Sequence, residues 1–262
     1  GGLVFPEGPS ISTDGKVYFS NCNGGWIGSY AKGEMDTFLL ADKETWGTTN
    51  GTTFFEDDLY ACEYGIGKIL KISTGRKIEN YATNYKDKNF NRPNDLTFDK
   101  NGNLYFTDPQ SYGKDKKDGR IFMVRKSSRE VVLLQDSLAF PNGIGISPKD
   151  KKLYFCESAY NRILRFDITG NGRLANKEVF IELPGGDPDG IDFDTKGNLY
   201  VAHYGTGSLF VISPNGEILQ QIATPGQRPT NLEFGGKNKK ILFLTETETN
   251  ALYSIPVNIS GL

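Results

Sequence analysis

Short alternations of apolar and polar residues, bounded by turn residues, run along the whole chain. A period of two residues predicts strands, and turn dipeptides such as Asp14-Gly15 and Asn101-Gly102 predict antiparallel hairpins. The clearest strands centre on an aromatic residue, as in Lys16–Phe19, Asn103–Phe106 and Asn198–Val201. No segment sustains a helical period, so the pattern predicts an all-β protein.

One seven-residue pattern occurs six times. Each copy has Pro or Thr, then a polar residue, then a small or polar residue, and then a short alternating strand. The copies begin at Pro6, Thr49, Pro93, Pro141, Pro188 and Pro229. Their polar positions are 43, 44, 48, 47 and 41 residues apart. This spacing is typical of propeller blades. Residues 1–262 are therefore predicted to form a single six-bladed β-propeller domain, with four antiparallel strands per blade and a central channel that contains a metal.

The sixth repeat ends after its third strand, near Val257–Leu262. Propellers usually close when an N-terminal strand completes the last blade, which leaves no unpaired edge. Only Gly1–Phe5 precede the first repeat. We expect either a short closure or a natural protein that begins before this sequence.

The first strand of each blade lines the channel of a propeller, so the six polar positions are expected to form a ring. They are Glu7, Asn50, Asn94, Asn142, Asp189 and Thr230. Two carboxylates in a confined channel repel each other and lose hydration, and a divalent cation would relieve both effects. Ca²⁺ prefers such oxygen ligands, whereas the absence of Cys and His from the ring disfavours a zinc or copper site. Asn-Gly and Asp-Gly are also ordinary turn dipeptides, but turns do not explain Glu7 or the shared register.

The ring gives Glu7, Asn142 and Asp189 as the metal ligands, with Asn94 binding either metal or substrate and Thr230 filling space. The ends of the second strands are expected to rim the same site. These residues are Asn21, Glu63, Asp108, Glu157, His203 and Glu246. We expect a structural role for His203, the only histidine, and expect the long loop Asp108–Arg120 to cover the channel mouth.

Composition narrows the classes of partner. The net charge is −2, so nucleic acid is not an expected partner. No run of about 18 apolar residues is present, so a membrane is not expected either. Cys22, Cys62 and Cys156 are too few for a disulfide framework and are expected to be buried thiols, which favours a cytoplasmic protein.

The motifs together resemble the regucalcin/gluconolactonase family (senescence marker protein, LRE-like) of six-bladed propeller lactonases. They are Phe5-Pro6-Glu7-Gly8-Pro9, Arg92-Pro93-Asn94-Asp95, Pro141-Asn142-Gly143, Pro188-Asp189-Gly190 and Phe106-Thr107-Asp108-Pro109. The resemblance implies one divalent metal, most often Ca²⁺ or Zn²⁺, with Mn²⁺ and Mg²⁺ as alternatives, held at Glu7, Asn142, Asp189 and Asn94. It also implies that Asp189 is the catalytic general base and that Arg92 binds a sugar lactone. Asn50, Asn94 and Tyr112 are the further candidate substrate-binding residues.

The expected function is therefore a metal-dependent hydrolase that opens a sugar lactone, acting as a monomer or weak homo-oligomer. The metal would polarise the carbonyl while Asp189 acts as general base. Two alternatives stay open. The same metal site could hydrolyse phosphotriesters or aryl esters, since a fold does not fix a substrate. The propeller could also be a binding platform whose metal is structural.

Overall fold

The computed structural model describes residues 2–262, and these form six antiparallel β-sheets arranged as the blades of a propeller. The prediction of an all-β six-bladed propeller is confirmed. Blade 1 contains β1 (Pro6–Ile11), β2 (Val17–Asn21), β3 (Trp26–Ala31) and β4 (Glu34–Leu40), and blade 2 contains β5 (Thr49–Phe55), β6 (Asp58–Glu63), β7 (Lys68–Ile72) and β8 (Ile78–Ala82). A small hairpin of β9 (Asn84–Tyr85) and β10 (Lys88–Asn89) follows. Blade 3 contains β11 (Leu96–Phe98), β12 (Leu104–Asp108), β13 (Gly119–Val124) and β14 (Val131–Leu138).

Blades 4 to 6 repeat this arrangement. Blade 4 contains β15 (Pro141–Ile146), β16 (Leu153–Glu157), β17 (Arg162–Ile168) and β18 (Leu174–Glu182). Blade 5 contains β19 (Asp187–Phe193), β20 (Leu199–Tyr204), β21 (Ser208–Ile212) and β22 (Ile218–Ala223). Blade 6 contains β23 (Pro229–Gly235), β24 (Ile241–Glu246) and β25 (Ala251–Pro256). Two single-turn 3₁₀ helices, Ser158–Tyr160 and Lys237–Lys239, lie in connections. No helix within residues 2–262 has the length and apolar character that crossing a membrane requires.

The first strands of the blades form a closed circle. Each contacts the first strand of the next blade, in the order β1, β5, β11, β15, β19 and β23, and β23 returns to contact β1. A residue at the same position in each of these strands therefore faces the same axis. This circle is the reason that residues far apart in sequence can share one site.

Apolar side chains fill the spaces between blades rather than the channel. Five clusters of buried side chains lie between successive blades, from blades 1 and 2 through to blades 5 and 6. Aromatic residues of the second strands are central to them, for example Tyr60, Phe106 and Tyr200. Since each large apolar side chain contributes about 2 kcal/mol on burial, these clusters provide the main stabilisation of the ring.

Within residues 2–262 the sixth blade has three strands, and residues 2–5 do not add a fourth. The backbone N–H groups of Cys22 and Asn23 donate to the carbonyl oxygens of Phe5 and Val4, so these two residues extend blade 1. Of the segment Gly1–Phe5, Gly1 lies outside the described residues. The ring closes instead through β1 and β23, where the Thr230 hydroxyl donates to the Pro6 carbonyl oxygen at 3.0 Å.

Candidate functional site

Five of the six predicted ring positions line one cavity of about 260 Å³ at one end of the channel. They are Glu7, Asn50, Asn94, Asn142 and Asp189. The sixth, Thr230, is fully buried, and its hydroxyl interacts with Thr245 as well as with Pro6. Thr230 is thus buried beside the ring and does not line the cavity, and the other five polar side chains are brought together.

Glycines directly after the ring positions allow the inner strands to approach closely. In β1, β15 and β19 the pairing register shifts at this point, which bends the strand. A Cβ on Gly143 would be 2.1 Å from the Asp189 carbonyl oxygen, and a Cβ on Gly8, whose φ is +45°, would be 2.5 Å from the Asn50 carbonyl oxygen. Only glycine allows this contact between backbones, which keeps the ring narrow.

The two ring carboxyls share a poorly hydrated space. Burial, followed by the charge of Asp95, raises the pKa of Glu7 to about 8. Burial also raises the pKa of Asp189 well above its usual range, and the charges of Glu7 and Asp95 add to this effect, while the Asn142 amide partly offsets it. Both carboxyls therefore favour a bound proton or a bound cation over the bare charged form.

The ligand atoms of the ring are oxygens, which hard divalent cations prefer. Two carboxylates and up to three carboxamide oxygens face one cavity, and such oxygen ligands suit Ca²⁺. Among residues 2–262, no three His, Cys, Asp or Glu side chains lie close enough to bind an ion together. A cation in this cavity would therefore depend on the asparagine oxygens. Residues Glu7, Asn94, Asn142 and Asp189 fit that requirement.

Aromatic side chains and one arginine, Arg92, are prominent in the walls above the ring. The walls consist of Phe5, Tyr64, Arg92, Pro109, Tyr112, Phe140, Ser158, Asp187 and Tyr204. Arg92 is the single Lys or Arg on these walls, and within residues 2–262 its side chain takes part in no ion pair. Its position is held from the backbone, because the Arg92 N–H donates to Asp108 Oδ1 at 2.9 Å. The guanidinium is thus available to a ligand in the cavity.

The long connection between β12 and β13 reaches the cavity, as the sequence predicts. Its residues Pro109 and Tyr112 form part of the wall. The Tyr112 hydroxyl donates to Asp187 Oδ1 at 2.8 Å, and the Tyr160 hydroxyl donates to the Lys114 carbonyl oxygen at 3.1 Å. Neither Asp187 nor Tyr160 was expected from sequence to take part in the site.

The prediction that the ends of the second strands rim the site was wrong. Four of these residues have carboxylate side chains that are almost fully buried outside the cavity and accept hydrogen bonds from backbone N–H groups. They are Glu63, Asp108, Glu157 and Glu246. Glu63, for example, accepts from Gly47, Thr48 and Ile66. Each carboxylate accepts a hydrogen bond from a backbone N–H in the connection that leads into the first strand of its own blade. The acidic residues at this position therefore support the fold and do not line the cavity.

The other two members of that set, Asn21 and His203, are also buried away from the cavity. Asn21 Oδ1 accepts from the Val4 N–H at 2.6 Å. His203 Nδ1 lies 2.9 Å from the Thr206 hydroxyl, and burial lowers its pKa to about 4. The expected structural role of the histidine agrees with this geometry. The three cysteines are free and buried, and burial raises the pKa of each thiol.

Further carboxyls lie deeper in the channel and were missed by the sequence analysis. Asp95, Asp192 and Glu233 line a second cavity of about 170 Å³. Burial raises the pKa of Asp95 to about 7 and of Asp192 to about 6, and raises the pKa of Glu233 well above its usual range. Asp95 occupies the place that glycine holds in four other blades, which is the signal that could have identified it.

Comparison with known proteins agrees with this architecture. The family model for the SMP-30/Gluconolactonase/LRE-like region matches residues 5–248. A gluconolactonase from Zymomonas mobilis is 33% identical over 204 residues, which cover 70% of this chain and 56% of that protein. A diisopropyl-fluorophosphatase from Loligo vulgaris is 28% identical over 221 residues, covering 78% of this chain and 70% of that protein.

A solved structure of a gluconolactonase from Xanthomonas campestris superposes with a TM-score of 0.86 and 25% identity, over 98% of this chain and 87% of that one. The chain thus spans a little over half the length of the Zymomonas protein and most of the length of the Xanthomonas one. The ring motifs, the propeller and the match over nearly the whole sequence lead to one assignment. The chain belongs to the SMP-30/gluconolactonase/LRE-like family.

Proposed function

We propose that this chain hydrolyses a lactone, with a divalent cation held in the ring. The observation that carries the proposal is the placement of Glu7 and Asp189 at the base of a cavity that opens to solvent. A platform with a structural ion would need no such opening. Named relatives that act on lactones, including the gluconolactonase of Zymomonas mobilis and a 6-deoxy-6-sulfogluconolactonase of Pseudomonas putida, support the substrate class.

In this proposal Glu7, Asn142 and Asp189 hold the cation, and Asn94 binds either the cation or the substrate. When bound, the cation would stabilise negative charge on the lactone oxygen. Asp189 accepts a proton from the attacking water as the water oxygen bonds to the carbonyl carbon, and it returns that proton to the ring oxygen when the ring C–O bond then breaks. The product is the open hydroxy acid. Asp189 lines the cavity, so its carboxylate is placed to reach a water beside a bound lactone.

The walls supply binding and orientation. Arg92, with no carboxylate partner, donates to substrate hydroxyl or ring oxygens. Asn50 and Tyr112 border the same space, and the aromatic side chains of Tyr64 and Phe140 exclude water from the non-reacting face. A cavity of about 260 Å³ suits a single small sugar lactone rather than a polymer.

The test combines metal content with lactone opening, measured as acid release from a panel that includes gluconolactone. The Asp189→Asn variant should lose at least about 100-fold in rate, because general bases contribute about 10²–10⁴-fold. Its melting temperature should be preserved. Asp136→Asn, which changes an exposed aspartate outside the cavity, is the matched control and should retain activity. An Asp189→Asn variant that opens lactones at the wild-type rate would contradict the assigned base.

A second reaction is supported by the relative from Loligo vulgaris, which is named a diisopropyl-fluorophosphatase. The same cavity could hydrolyse phosphotriesters, since the cation and the carboxylates do not by themselves select carbon over phosphorus. Rates on a sugar lactone and on a phosphotriester, measured with one preparation, separate the two. A specificity ratio in favour of the phosphotriester would replace the lactone assignment.

A further inference from the structure

The connection between β12 and β13, residues 109–118, crosses three blades. It leaves blade 3 at Asp108 and touches blade 4 at Phe140 and Tyr160, and its Tyr112 then bonds to Asp187 at the start of the first strand of blade 5. We call residues 109–118 the strap. Its inner surface is part of the cavity wall, so its position determines the shape of the site.

Tyr112 is held in an unusual way for a side chain so exposed. The residue is 57% exposed, yet its ring packs edge-on against Phe140 at 5.4 Å between centroids, and its hydroxyl proton is bonded to Asp187. Fixing an exposed tyrosine costs conformational entropy. The ring packing and the hydrogen bond are the two contacts that offset this cost.

The rest of the strap has few connections to the blades. Lys114, Asp115, Lys116 and Lys117 are exposed, and the internal bond from the Ser111 N–H to Asp118 Oδ1 only shapes the strap itself. The remaining bond near its tip is that from Tyr160 to the Lys114 carbonyl oxygen. The Tyr112–Asp187 pair is therefore the connection that ties the cavity side of the strap to the far blade.

We propose that Asp187 is a positioning residue that acts through Tyr112: the pair fastens the strap across blades 3 to 5 and completes the substrate-binding wall. Asp187 touches no reacting atom in this assignment. Its function is to fix the tyrosine ring at the distance from Arg92 and the ring carboxylates that the substrate requires. The substrate part of this inference rests on the proposed lactonase activity, whereas the fastening of the strap does not.

Two variants separate the hydroxyl from the charge. Tyr112→Phe removes the donor but keeps the ring against Phe140 and keeps the Asp187 charge, which itself raises the pKa of Asp189. Asp187→Asn keeps an acceptor oxygen, so it should hold the strap while Asp187→Ala should not. Tyr253→Phe is the matched control, because it removes a hydroxyl bond to Thr249 far from the strap.

The first measurement needs no substrate. Limited trypsin digestion with mass spectrometry reports cleavage after Lys114, Lys116 and Lys117. We expect Tyr112→Phe and Asp187→Ala to be cleaved there about five-fold faster than wild type, the factor that loss of one net hydrogen bond gives. The double variant, Tyr112→Phe with Asp187→Ala, should be cleaved no faster than either single variant. Asp187→Asn should return the rate to within about two-fold of wild type, and Tyr253→Phe should leave it unchanged.

The second measurement uses lactone opening. Tyr112→Phe should raise KM about five-fold and change kcat by less than about two-fold, since the lost contact shapes the wall but does not enter the reaction. Wild-type cleavage rates in both Tyr112→Phe and Asp187→Ala would overturn the fastening, whatever the lactone assay shows. Faster cleavage with an unchanged KM would overturn the assignment of Asp187 to substrate positioning. A wild-type protein that opens no lactone would overturn the proposed function, and the digestion would still decide the fastening.

Discussion

The backbone carbonyl oxygen of Asp189 occupies the space where a side chain at Gly143 would begin. A Cβ there would be 2.1 Å from that oxygen, closer than any real contact. Since Asn142 and Asp189 belong to neighbouring blades, this approach fixes the spacing between two of the proposed cation ligands. The fold and the site are therefore coupled at this glycine.

Gly143→Ala should force β15 and β19 apart. Overpacking of this kind costs about 1–3 kcal/mol, which corresponds to a fall of several degrees in melting temperature, roughly 2–4 °C per kcal/mol for a chain of this size. Calcium affinity, measured by titration calorimetry, should fall with it. Gly170→Ala is the control, because a Cβ on Gly170 meets nothing within 4 Å. Equal melting temperatures for the two variants would show that the ring widens without cost.

Removal of divalent cations should make stability depend on pH in a defined direction. The pKa of Glu7 rises from 4.5 to about 8 and that of Asp95 from 3.8 to about 7, so the folded state binds more protons than the unfolded state within these windows. The contribution of these carboxyls to the free energy of unfolding should therefore decrease as pH rises from about 4.5 to 8 in EDTA, and net stability should fall most clearly between about 6.5 and 8. Thermal melts across this range measure it.

Two additions check the origin of that slope. Glu7→Gln should make the slope shallower without abolishing it, because Asp95 still titrates, and excess Ca²⁺ should raise the melting temperature most at the alkaline end, where the bare carboxylates are least stable. Glu44→Gln, at an exposed position, should leave the slope as in wild type. A melting temperature that rises as pH increases from about 6.5 to 8 in EDTA would contradict the electrostatics described for the ring.

His203 should produce an opposing slope at lower pH. Burial lowers its pKa from 6.5 to about 4, so between these values the unfolded state takes up a proton that the folded state does not. The His203 contribution to stability should therefore fall as pH decreases from about 6.5 to 4, opposing the carboxyl contribution in that range. His203→Asn keeps a polar partner for Thr206 but does not titrate, so its melting temperature relative to wild type should rise as pH falls over this range. Parallel curves for the two proteins would exclude the histidine as the source.

Glu63→Ala should destabilise the fold without any part in ligand binding. The carboxylate accepts hydrogen bonds from three backbone N–H groups and is fully buried. Each buried donor left without a partner costs about 1–3 kcal/mol, so the melting temperature should fall by about 5 °C or more. Glu44→Ala, at an exposed site, should melt like wild type. Retained stability in Glu63→Ala would mean that water replaces the carboxylate.

The ring was predictable because it depends on register alone. Glu7 and Asp189 are 182 residues apart, but both occupy the second position of the same repeated pattern, and the circle of first strands places equal positions around one axis. Alternation of apolar and polar residues identifies a strand regardless of its partner. The number of blades and the channel-facing residues therefore follow from sequence.

The walls and the rim were not predictable in the same way. Glu63 ends a second strand as expected, yet its side chain turns toward the preceding connection, because unpaired N–H groups there attract the carboxylate. Tyr112 lies in a connection whose length differs between blades, so no register places it, whereas Phe140 directly precedes the repeat at Pro141 and shares its register with Phe5 and Arg92. Asp187 precedes the bend at Pro188, and its direction depends on that irregularity. Such directions are set by tertiary contacts that a repeat pattern does not encode.

The closure between the last and first blades differs from the other five blade contacts in chain connectivity. The chain runs directly from each blade to the next, but blades 6 and 1 hold its two ends. This seam is held by packing of β23 on β1, by the Thr230–Pro6 hydrogen bond and by Ile11, which lies beside Gly235 and Phe243. Because Glu7 lies on β1 and Asp189 lies on β19, a cation bound by both would join the first blade to a late blade without passing through blade 6. Ion binding would then supply a connection between the two ends of the chain that the backbone itself lacks.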